Sequence, residues 1–516
     1  MQTNILVNVK KALTHFPFYL ILLSIYPAIS LLASNIREVE PRVVLRPLLV
    51  SLVFSFLIFY LHLLFIKNPR NASALTALFL IFFSNYGHFY NLLGTTGITD
   101  RLGNIAHLLL LAVMKLVYLG VRKLIEKRLP QTNALALMSL ALLILPLYQI
   151  GQYFINSRSG FQLENVESPQ SLQTDELPDI YYIILDGYNR EDTLNLMGYD
   201  NSPFLDSLRA MGFFVAECSQ TNYKATALSL ASTLNMDFLY EFIPNEGPLD
   251  DNSQAVYDAL IQNRVRQELA SLGYQIIFFQ TGYHWNEWKD ADLYLKPEED
   301  IIFAPYLYPF EYMYVETTAF KAAMDYGLLD FLEKGSVRHQ QHYNRVHFVL
   351  DTLPDLAVLP GPKFVFAHIL IPHDPHIFLP DGSINPDPDY YHYLNVDGYI
   401  NSVEFLNSRI EPIIQTIISD SEIPPVIVLQ SDHGYIIKER RYFIFNAYYL
   451  PGEHEESPYP KITPVNTFRG IFNIYFGTDY PLKDDVSFVA DIGFPFRDKI
   501  MRLPKKQFPC PYLPTP

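Results

Sequence analysis

Long stretches without a charged residue dominate the first third of the chain. A helix needs about 20 consecutive apolar residues to cross a bilayer, and four uncharged stretches are that long: 16–36, 47–66, 74–93 and 134–154. A fifth stretch, 102–121, contains Lys115, which can extend its side chain to the membrane surface when it lies near a helix end. We therefore predict five membrane-spanning helices within residues 1–156.

Two other interpretations of these stretches fit less well. Buried helices of a soluble protein can be equally apolar, but five of them within 157 residues are not expected of a soluble fold. A cleaved signal peptide would require a small-residue cleavage site followed by a folded domain, and the first stretch has neither.

The basic residues between the stretches set the predicted orientation. They cluster before the first stretch and after the second and the fourth, at Lys10, Lys11, Lys67, Arg70, Arg122, Lys123, Lys127 and Arg128. These three positions share one face, which the positive-inside rule makes cytoplasmic. Arg37, Arg42 and Arg46 in the first outer loop argue mildly against this assignment. On balance we predict a multi-pass protein of the cell membrane, with the chain beyond residue 154 on the extracytoplasmic face.

Beyond residue 156 the pattern changes to short apolar runs. Residues 157–178 are polar and predict a linker. Continuous apolar runs predict strands, and helical spacing closed by glycine predicts helices. The strands fall at 179–185, 274–280, 363–370 and 424–430, and the helices at 201–212 and 255–273. This alternation is typical of an α/β domain with a largely parallel central sheet. We place that domain at 179–500 and a Pro-rich tail at 501–516.

Charge separates the same two parts of the chain. Residues 1–157 contain thirteen basic and four acidic residues, a net charge of +9; because the whole chain carries −16, residues 158–516 carry −25. So acidic a part repels phosphate backbones, and we predict no nucleic-acid partner. The two cysteines are Cys218 and Cys510. The sequence leaves open whether they bond to each other outside the cytoplasm.

Candidate chemistry follows the predicted strands. Asp186, His373, Asp432 and His433 each come just after an apolar run, and ligands gather beyond the carboxyl ends of parallel strands. The Asp-Gly pair at 186–187 is by itself more typical of a turn. The Asp-His-Gly sequence at 432–434 is more specific, because carboxylate and imidazole are both metal ligands.

A third motif is rich in small and hydroxylated residues. The segment TNYKATALSLASTLNM (221–236) contains a predicted helix start. Free N–H groups at a helix start suit an anion and favour charge on a nearby hydroxyl oxygen. A Ser/Thr-rich helix cap is the alternative interpretation.

In this order, and with the His-x-Pro loop at 373–375, the motifs resemble the alkaline phosphatase superfamily, and within it the sulfatase-like branch. The segment TALSLASTL (226–234) lies along the sulfatase nucleophile motif Cys/Ser-x-Pro-Ser-Arg-Ala-Ser-x-Leu, with Thr226 at the nucleophile position. Leu228 and Leu230 replace its Pro and Arg, and Thr226 with Leu230 argues against sulfate-ester hydrolysis. Membrane-bound members with a threonine nucleophile are more similar, namely lipoteichoic acid synthase and the phosphoethanolamine or phosphoglycerol transferases.

The resemblance implies a metal site. Asp186, Thr226, Asp432 and His433 would hold one divalent ion, manganese, magnesium or zinc. A mainly oxygen ligand set with one imidazole suits manganese at least as well as zinc.

The resemblance also implies roles around that site. His373 would contact the phosphate or act on the leaving group. His376 is a candidate for substrate binding, although it, like His368, can equally be a structural histidine. Lys224 could add positive charge beside Thr226, and a solvated surface lysine is the alternative.

The implied reaction begins with attack of Thr226 on phosphorus. It expels a first alcohol and leaves a covalent phospho-threonine that a second acceptor takes up. We predict a transferase of the cell envelope that moves a phospho-alcohol group from a lipid donor to a surface glycan or lipid acceptor. The membrane helices are the reason for a lipid donor. A sulfatase-like phosphodiesterase or ester hydrolase and, as a third class, an inactive membrane scaffold are the alternatives.

Overall fold

The structure is a computed structural model. It describes residues 17–36, 39, 41–127, 132–156, 177–243, 254–298, 307–329, 337–435, 437, 440–452, 454, 458–488, 505–506 and 510–511. Most of the predicted linker 157–178 and of the predicted tail 501–516 lies outside these residues.

The helices are numbered in chain order. They are α1 Phe18–Ser34, α2 Leu45–Ile66, α3 Pro69–Thr95, α4 Ile98–Leu102, α5 Ile105–Lys127, α6 Thr132–Asn156, α7 Glu191–Leu196, α8 Ser202–Ala210, α9 Thr226–Leu234, α10 Leu239–Phe242, α11 Gln254–Ile261, α12 Arg264–Ser271, α13 Pro309–Thr317, α14 Phe320–Asp325, α15 Val337–Thr352, α16 Val396–Asp420 and α17 Thr467–Phe476.

The strands are numbered in the same way. They are β1 Ile180–Leu185, β2 Phe214–Val215, β3 Gln275–Phe279, β4 Leu293–Leu295, β5 Lys363–Ile369, β6 Val426–Gln430, β7 Asn446–Tyr449, β8 Ser487–Phe488 and β9 Lys505–Lys506.

The chain divides into two compact units. The first comprises residues 1–160 and 299–340, and the second comprises residues 161–298 and 341–516. The domain limits drawn from the sequence stay a prediction.

In the first unit, helices stand at all five positions predicted to span a membrane (α1, α2, α3, α5 and α6). Within the described ranges, three helical segments are long and apolar enough to cross a bilayer: Pro41–Ile66, Pro69–Thr95 and Asn133–Phe154. Helix α1 is apolar but has 17 described residues. Apolar helices at the N-terminus are therefore observed, whereas the count of five spans stays a prediction.

Residues 299–340, far from the other helices in sequence, also belong to this first unit. Arg46, at the start of α2, forms an ion pair with Glu311 of α13. The hydroxyls of Ser51 and Tyr314 are 2.7 Å apart. The sequence gives no sign of this return, because residues 299–340 contain no uncharged stretch of spanning length.

The second unit is built on a seven-stranded sheet of order β2-β7-β6-β1-β5-β3-β4. Neighbouring strands from β6 through β1, β5 and β3 to β4 are parallel, and β7 is antiparallel to both of its neighbours, β6 and β2. All six residues of β1, IYYIIL, are buried. Alternate side chains of β1 enter two hydrophobic cores, which explains the unbroken apolar run. The predicted α/β class with a largely parallel sheet is confirmed.

The three central strands end at one edge of this sheet. Leu185 at the end of β1 pairs with Ile369 at the end of β5, and Ile184 pairs with Gln430 at the end of β6. Residues that follow these strands therefore lie close together in space, although more than 240 positions separate the first from the last in sequence.

Cys218 and Cys510 form a disulfide, with their Cα atoms 5.4 Å apart. The bond joins the body of the second unit to the C-terminal end of the chain. The sequence left this pairing open.

Candidate metal centre

Asp186 lies directly after β1 and is 1% exposed. Its Oδ2 atom is 3.2 Å from Nε2 of His368. Among the described residues none gives a hydrogen bond to its Oδ1 atom. A nearby cation would stabilise a buried carboxylate oxygen that accepts no hydrogen bond.

Asp432 and His433 follow β6 and are equally buried. Asp432 accepts a hydrogen bond from the backbone N–H of Gly187 on Oδ1, at 3.1 Å, which ties the two strand ends together. Its Oδ2 atom has no hydrogen-bond partner within the described part of the chain. A second unpaired carboxylate oxygen therefore points into the same space.

A backbone carbonyl determines which ring nitrogen of His433 carries the proton and which has a free lone pair. Nδ1 lies 2.9 Å from the carbonyl oxygen of Gly434, and a carbonyl can only accept, so Nδ1 carries the proton. Nε2 is left with its lone pair. It lies 3.5 Å from Asp432 Oδ2 and 3.9 Å from Asp186 Oδ1.

Thr226 brings the fourth predicted ligand from the start of α9. Its hydroxyl is 3.1 Å from Nε2 of His433. The other hydroxyls of the motif are engaged elsewhere: Ser229 shares a hydrogen bond with Thr221, and Ser232 donates to the carbonyl of Asp237. Thr226 is half-buried, whereas the following eight residues of α9 are buried. It is the hydroxyl of this helix that faces the strand ends.

These donors fit a divalent cation. Ligand atoms of Asp186, His433 and His373 lie within 4.8 Å of one another, as do those of Asp186, His368 and Asp432. The two unpaired carboxylate oxygens supply the negative charge that a metal ion requires, and oxygen with imidazole is a set that manganese, magnesium and zinc accept.

His368 is a member of this cluster that the sequence left undecided. It is 1% exposed and sits at the second-last position of β5, with its ring against Asp186. The alternation of side chains along β5 would have placed it on the same sheet face as Phe364 and Phe366. To predict its contact with Asp186 one must know that β5 pairs with β1, and the sequence alone does not show which strands pair.

His373 lies in the loop after β5, near the cluster. Its backbone N–H donates to the carbonyl of Asp186 at 3.0 Å, and its Nδ1 atom lies 3.1 Å from Asp374 Oδ1. Burial lowers the pKa of His373, but the carboxylates of Asp186 and Asp374 outweigh this and raise it above the usual value. His373 therefore tends to hold a proton.

The pKa of Asp186 shifts in the complementary direction. Burial raises it, but the neighbouring rings of His373, His368 and His433 outweigh burial and hold the pKa of this carboxyl well below its usual range. Asp186 is ionised at neutral pH, as a metal ligand must be.

The two remaining predicted residues lie in different surroundings. His376 is fully buried, with the rings of Tyr399 and Tyr435 each 5.8 Å away. Burial lowers the pKa of His376 to about 4, so it is neutral at pH 7. Lys224 is half-buried in the bend before α9, two residues from Thr226. The substrate-binding roles of both residues stay predictions.

Comparison with known proteins gives only distant matches. No family model matches the chain, and no curated protein matches it. Similar solved structures include the C-terminal periplasmic domain of EptC from Escherichia coli, at 14% identity over 65% of this chain and 95% of that chain, with a TM-score of 0.40.

Two further solved structures are similar at the same level. The integral membrane protein lipooligosaccharide phosphoethanolamine transferase A (EptA) from Neisseria meningitidis is 13% identical over 89% of this chain and 96% of its own, with a TM-score of 0.35. A putative sulfatase from Bacteroides thetaiotaomicron is 10% identical over 60% and 72%, at 0.36. These proteins are of the branch that the motifs resemble. With identities of 10–14% and TM-scores below 0.5, the likeness to these proteins is one of fold alone.

Proposed function

We propose that the protein is a membrane-anchored, metal-dependent phosphotransferase whose nucleophile is Thr226. The observation that carries the proposal is the pair of unpaired buried oxygens, Asp186 Oδ1 and Asp432 Oδ2, facing His433 Nε2 and the Thr226 hydroxyl. Asp186, Thr226, Asp432 and His433 would hold one divalent cation. When bound, that ion lowers the pKa of a coordinated hydroxyl and offsets charge on phosphoryl oxygens.

The chain's own groups account for the transfer. Oγ1 of Thr226, after losing its proton to solvent, bonds to phosphorus while the bond from phosphorus to the first alcohol breaks. His373, whose pKa is raised, gives its proton to the departing oxygen. The acceptor hydroxyl then attacks the phospho-threonine and gives its proton to His373, and Thr226 leaves in its deprotonated form, ready for the next attack. Free N–H groups at the start of α9 stabilise the phosphoryl oxygens.

The substrates proposed are a lipid donor carrying a phospho-alcohol headgroup and a cell-surface glycan or lipid acceptor. Support comes from the helices long and apolar enough to cross a membrane, which would hold the site near a lipid surface. The Cys218–Cys510 disulfide supports an extracytoplasmic site, because disulfides persist outside the reducing cytoplasm.

A test uses the full chain purified in detergent, with bound metal and release of headgroup from a phospholipid measured together. Thr226→Ala should lose turnover by many orders of magnitude, on the scale of about 10⁶ seen when a catalytic serine is removed. Thr226→Ser should retain part of it. Asp432→Asn keeps the acceptor for Gly187 but removes the charge, and should lose bound metal.

Ser229→Ala and Ser232→Ala serve as matched controls, because both hydroxyls belong to α9 but face away from the cluster. Both variants should turn over normally. Mass spectrometry after incubation with the donor should find the added phospho-alcohol on the peptide containing Thr226. Normal turnover by Thr226→Ala, or an adduct on Ser229 or Ser232, would refute the nucleophile. A chain that releases the headgroup only to water would be a hydrolase.

A further inference from the structure

A buried amide lies directly behind the candidate metal centre. Asn286 is fully buried and closes the short 3₁₀ turn His284–Asn286 that follows β3. Its Nδ2 atom is 3.1 Å from Nδ1 of His368. Nε2 of the same ring is 3.2 Å from Asp186 Oδ2. The three side chains form one continuous row of contacts, and each is at most 1% exposed.

The donors and acceptors along this row fix the position of one proton. An amide nitrogen can only donate, so Nδ1 of His368 accepts, and neutral His368 carries its proton on Nε2. That proton is donated to Asp186 Oδ2. If the amide were reversed, the imidazole proton would move to Nδ1, and a lone pair on Nε2 would face a carboxylate oxygen at 3.2 Å. For a neutral imidazole, only this orientation of the amide makes both contacts attractive.

We propose that Asn286 and His368 form a positioning relay that occupies Asp186 Oδ2 and so presents Oδ1 to the metal. The inference rests on the proposed function, since it requires a cation at the centre. The two oxygens of Asp186 differ as this relay requires. Oδ2 accepts a hydrogen bond from His368, and Oδ1 has no hydrogen-bond partner in the described ranges. Hydrogen bonds behind a metal ligand commonly orient it in this way.

The loop that carries Asn286 is itself held in place. The next residue, Glu287, is buried and accepts hydrogen bonds from Thr281 N, Thr281 Oγ1 and Gly282 N at 3.1, 3.1 and 2.7 Å. The hydroxyl of Tyr294 donates to its other oxygen at 2.5 Å. Four donors to one carboxylate hold the turn together, which keeps Asn286 against His368.

A direct metal-ligand role for His368 is the competing interpretation, because its ring nitrogen lies within 4.8 Å of oxygens of Asp186 and Asp432. Glutamine separates the two roles. Its side-chain amide reaches about as far as Nε2 of histidine and can donate to Asp186 Oδ2, but it does not supply an imidazole nitrogen. Alanine at position 368 supplies neither.

The experiment measures Zn²⁺ affinity of the full chain in detergent by competition with a chromophoric chelator. Asn286→Leu and His368→Ala should each weaken Zn²⁺ binding about 10- to 100-fold, the usual effect of losing a partner of a metal ligand. His368→Gln keeps a hydrogen-bond donor to Asp186 Oδ2, so its Zn²⁺ affinity should stay within about threefold of that of the wild type. Tyr294→Phe removes one of the four hydrogen bonds to Glu287 and keeps the other three, so the loop should stay in place and the variant should bind Zn²⁺ like the wild type.

Each result decides the inference. Equal loss in His368→Gln and His368→Ala would make His368 a ligand and overturn the relay. Unchanged affinity in Asn286→Leu would also overturn it, while leaving the metal centre intact. A wild-type chain that binds none of Zn²⁺, Mn²⁺ and Mg²⁺ stoichiometrically would remove the proposed function and the relay together. If Asn286→Leu does not fold, as judged by thermal unfolding, the two His368 variants give the answer by themselves.

Discussion

His433 and His373 have pKa values shifted in opposite directions, although their ring centres are 5.9 Å apart. Burial lowers the pKa of His433, with the charge of Arg441 adding to the effect and Asp432 opposing it. Burial also lowers the pKa of His373, but there Asp186 and Asp374 prevail and raise it. One ring is suited to hold a metal and the other to hold a proton.

This difference predicts the pH dependence of metal binding. A metal ligand must be deprotonated, and His433 has a pKa below the usual 6.5 or so. Protons should therefore compete with the metal only below about pH 6.5, and affinity should be constant between pH 8 and that point. Chelator competition across pH 5–8 measures it. A decline that already begins above pH 7 would identify a ligand with a raised pKa, such as His373, and would contradict the assignment.

Individual site residues were predictable where an apolar run ended. Asp186, Asp432 and His433 were found from the sequence because each follows a buried strand. Thr226 was found because hydroxyls crowd a helix start. His368 stayed undecided and Asn286 was missed. Asn286 contacts His368 and His368 contacts Asp186 because their strands and loops are neighbours in the sheet, and the pattern of apolar residues does not predict strand order.

At the scale of elements, the strongest apolar runs gave the best predictions. The run 363–370 corresponds to β5 Lys363–Ile369, and the run 179–185 to β1 Ile180–Leu185. The predicted helix 255–273 is two helices, because Asn263 caps a new start by accepting a hydrogen bond from the backbone N–H of Arg266. Strands of two to four residues, such as β2 and β7, are too short for a periodic signal.

The packing of helix α13 predicts how much stability is lost when Glu311 is replaced. Glu311 is 4% exposed and forms two hydrogen bonds with the half-buried guanidinium of Arg46, so Glu311→Ala removes two charge-assisted hydrogen bonds. The variant should be less stable than the wild type by about 2–3 kcal/mol. Ser51→Ala removes a neutral hydrogen bond to the same helix and should cost only about 1 kcal/mol.

Thermal unfolding in detergent compares the two variants with the wild type. If Glu311→Ala unfolds no more readily than Ser51→Ala, then the ion pair does not anchor α13.

For the whole molecule, the basic residues in the loops predict on which side of the membrane the second unit lies. If Lys10 and Lys11 are cytoplasmic and five helices cross the membrane, as the sequence predicts, the chain after α6 should lie outside. A phosphatase reporter fused after Gly160 should be active, because that enzyme folds only in an oxidising compartment, and a cytoplasmic reporter at the same site should be silent. The reverse result would mean that the Lys115 helix does not cross the membrane, and the proposed site would face the cytoplasm.

The return of residues 299–340 to the first unit means that the polypeptide passes between the two units three times, at 160–161, 298–299 and 340–341. No single cleavage can release the second unit intact. A fragment begun at residue 177 would keep α13 without the helices it packs on and would expose Phe310, which is 1% exposed in the whole chain. Such a fragment should aggregate. A soluble version for crystallisation therefore requires that residues 299–340 be replaced by a short flexible linker, a choice that the position of the last apolar stretch alone would never suggest.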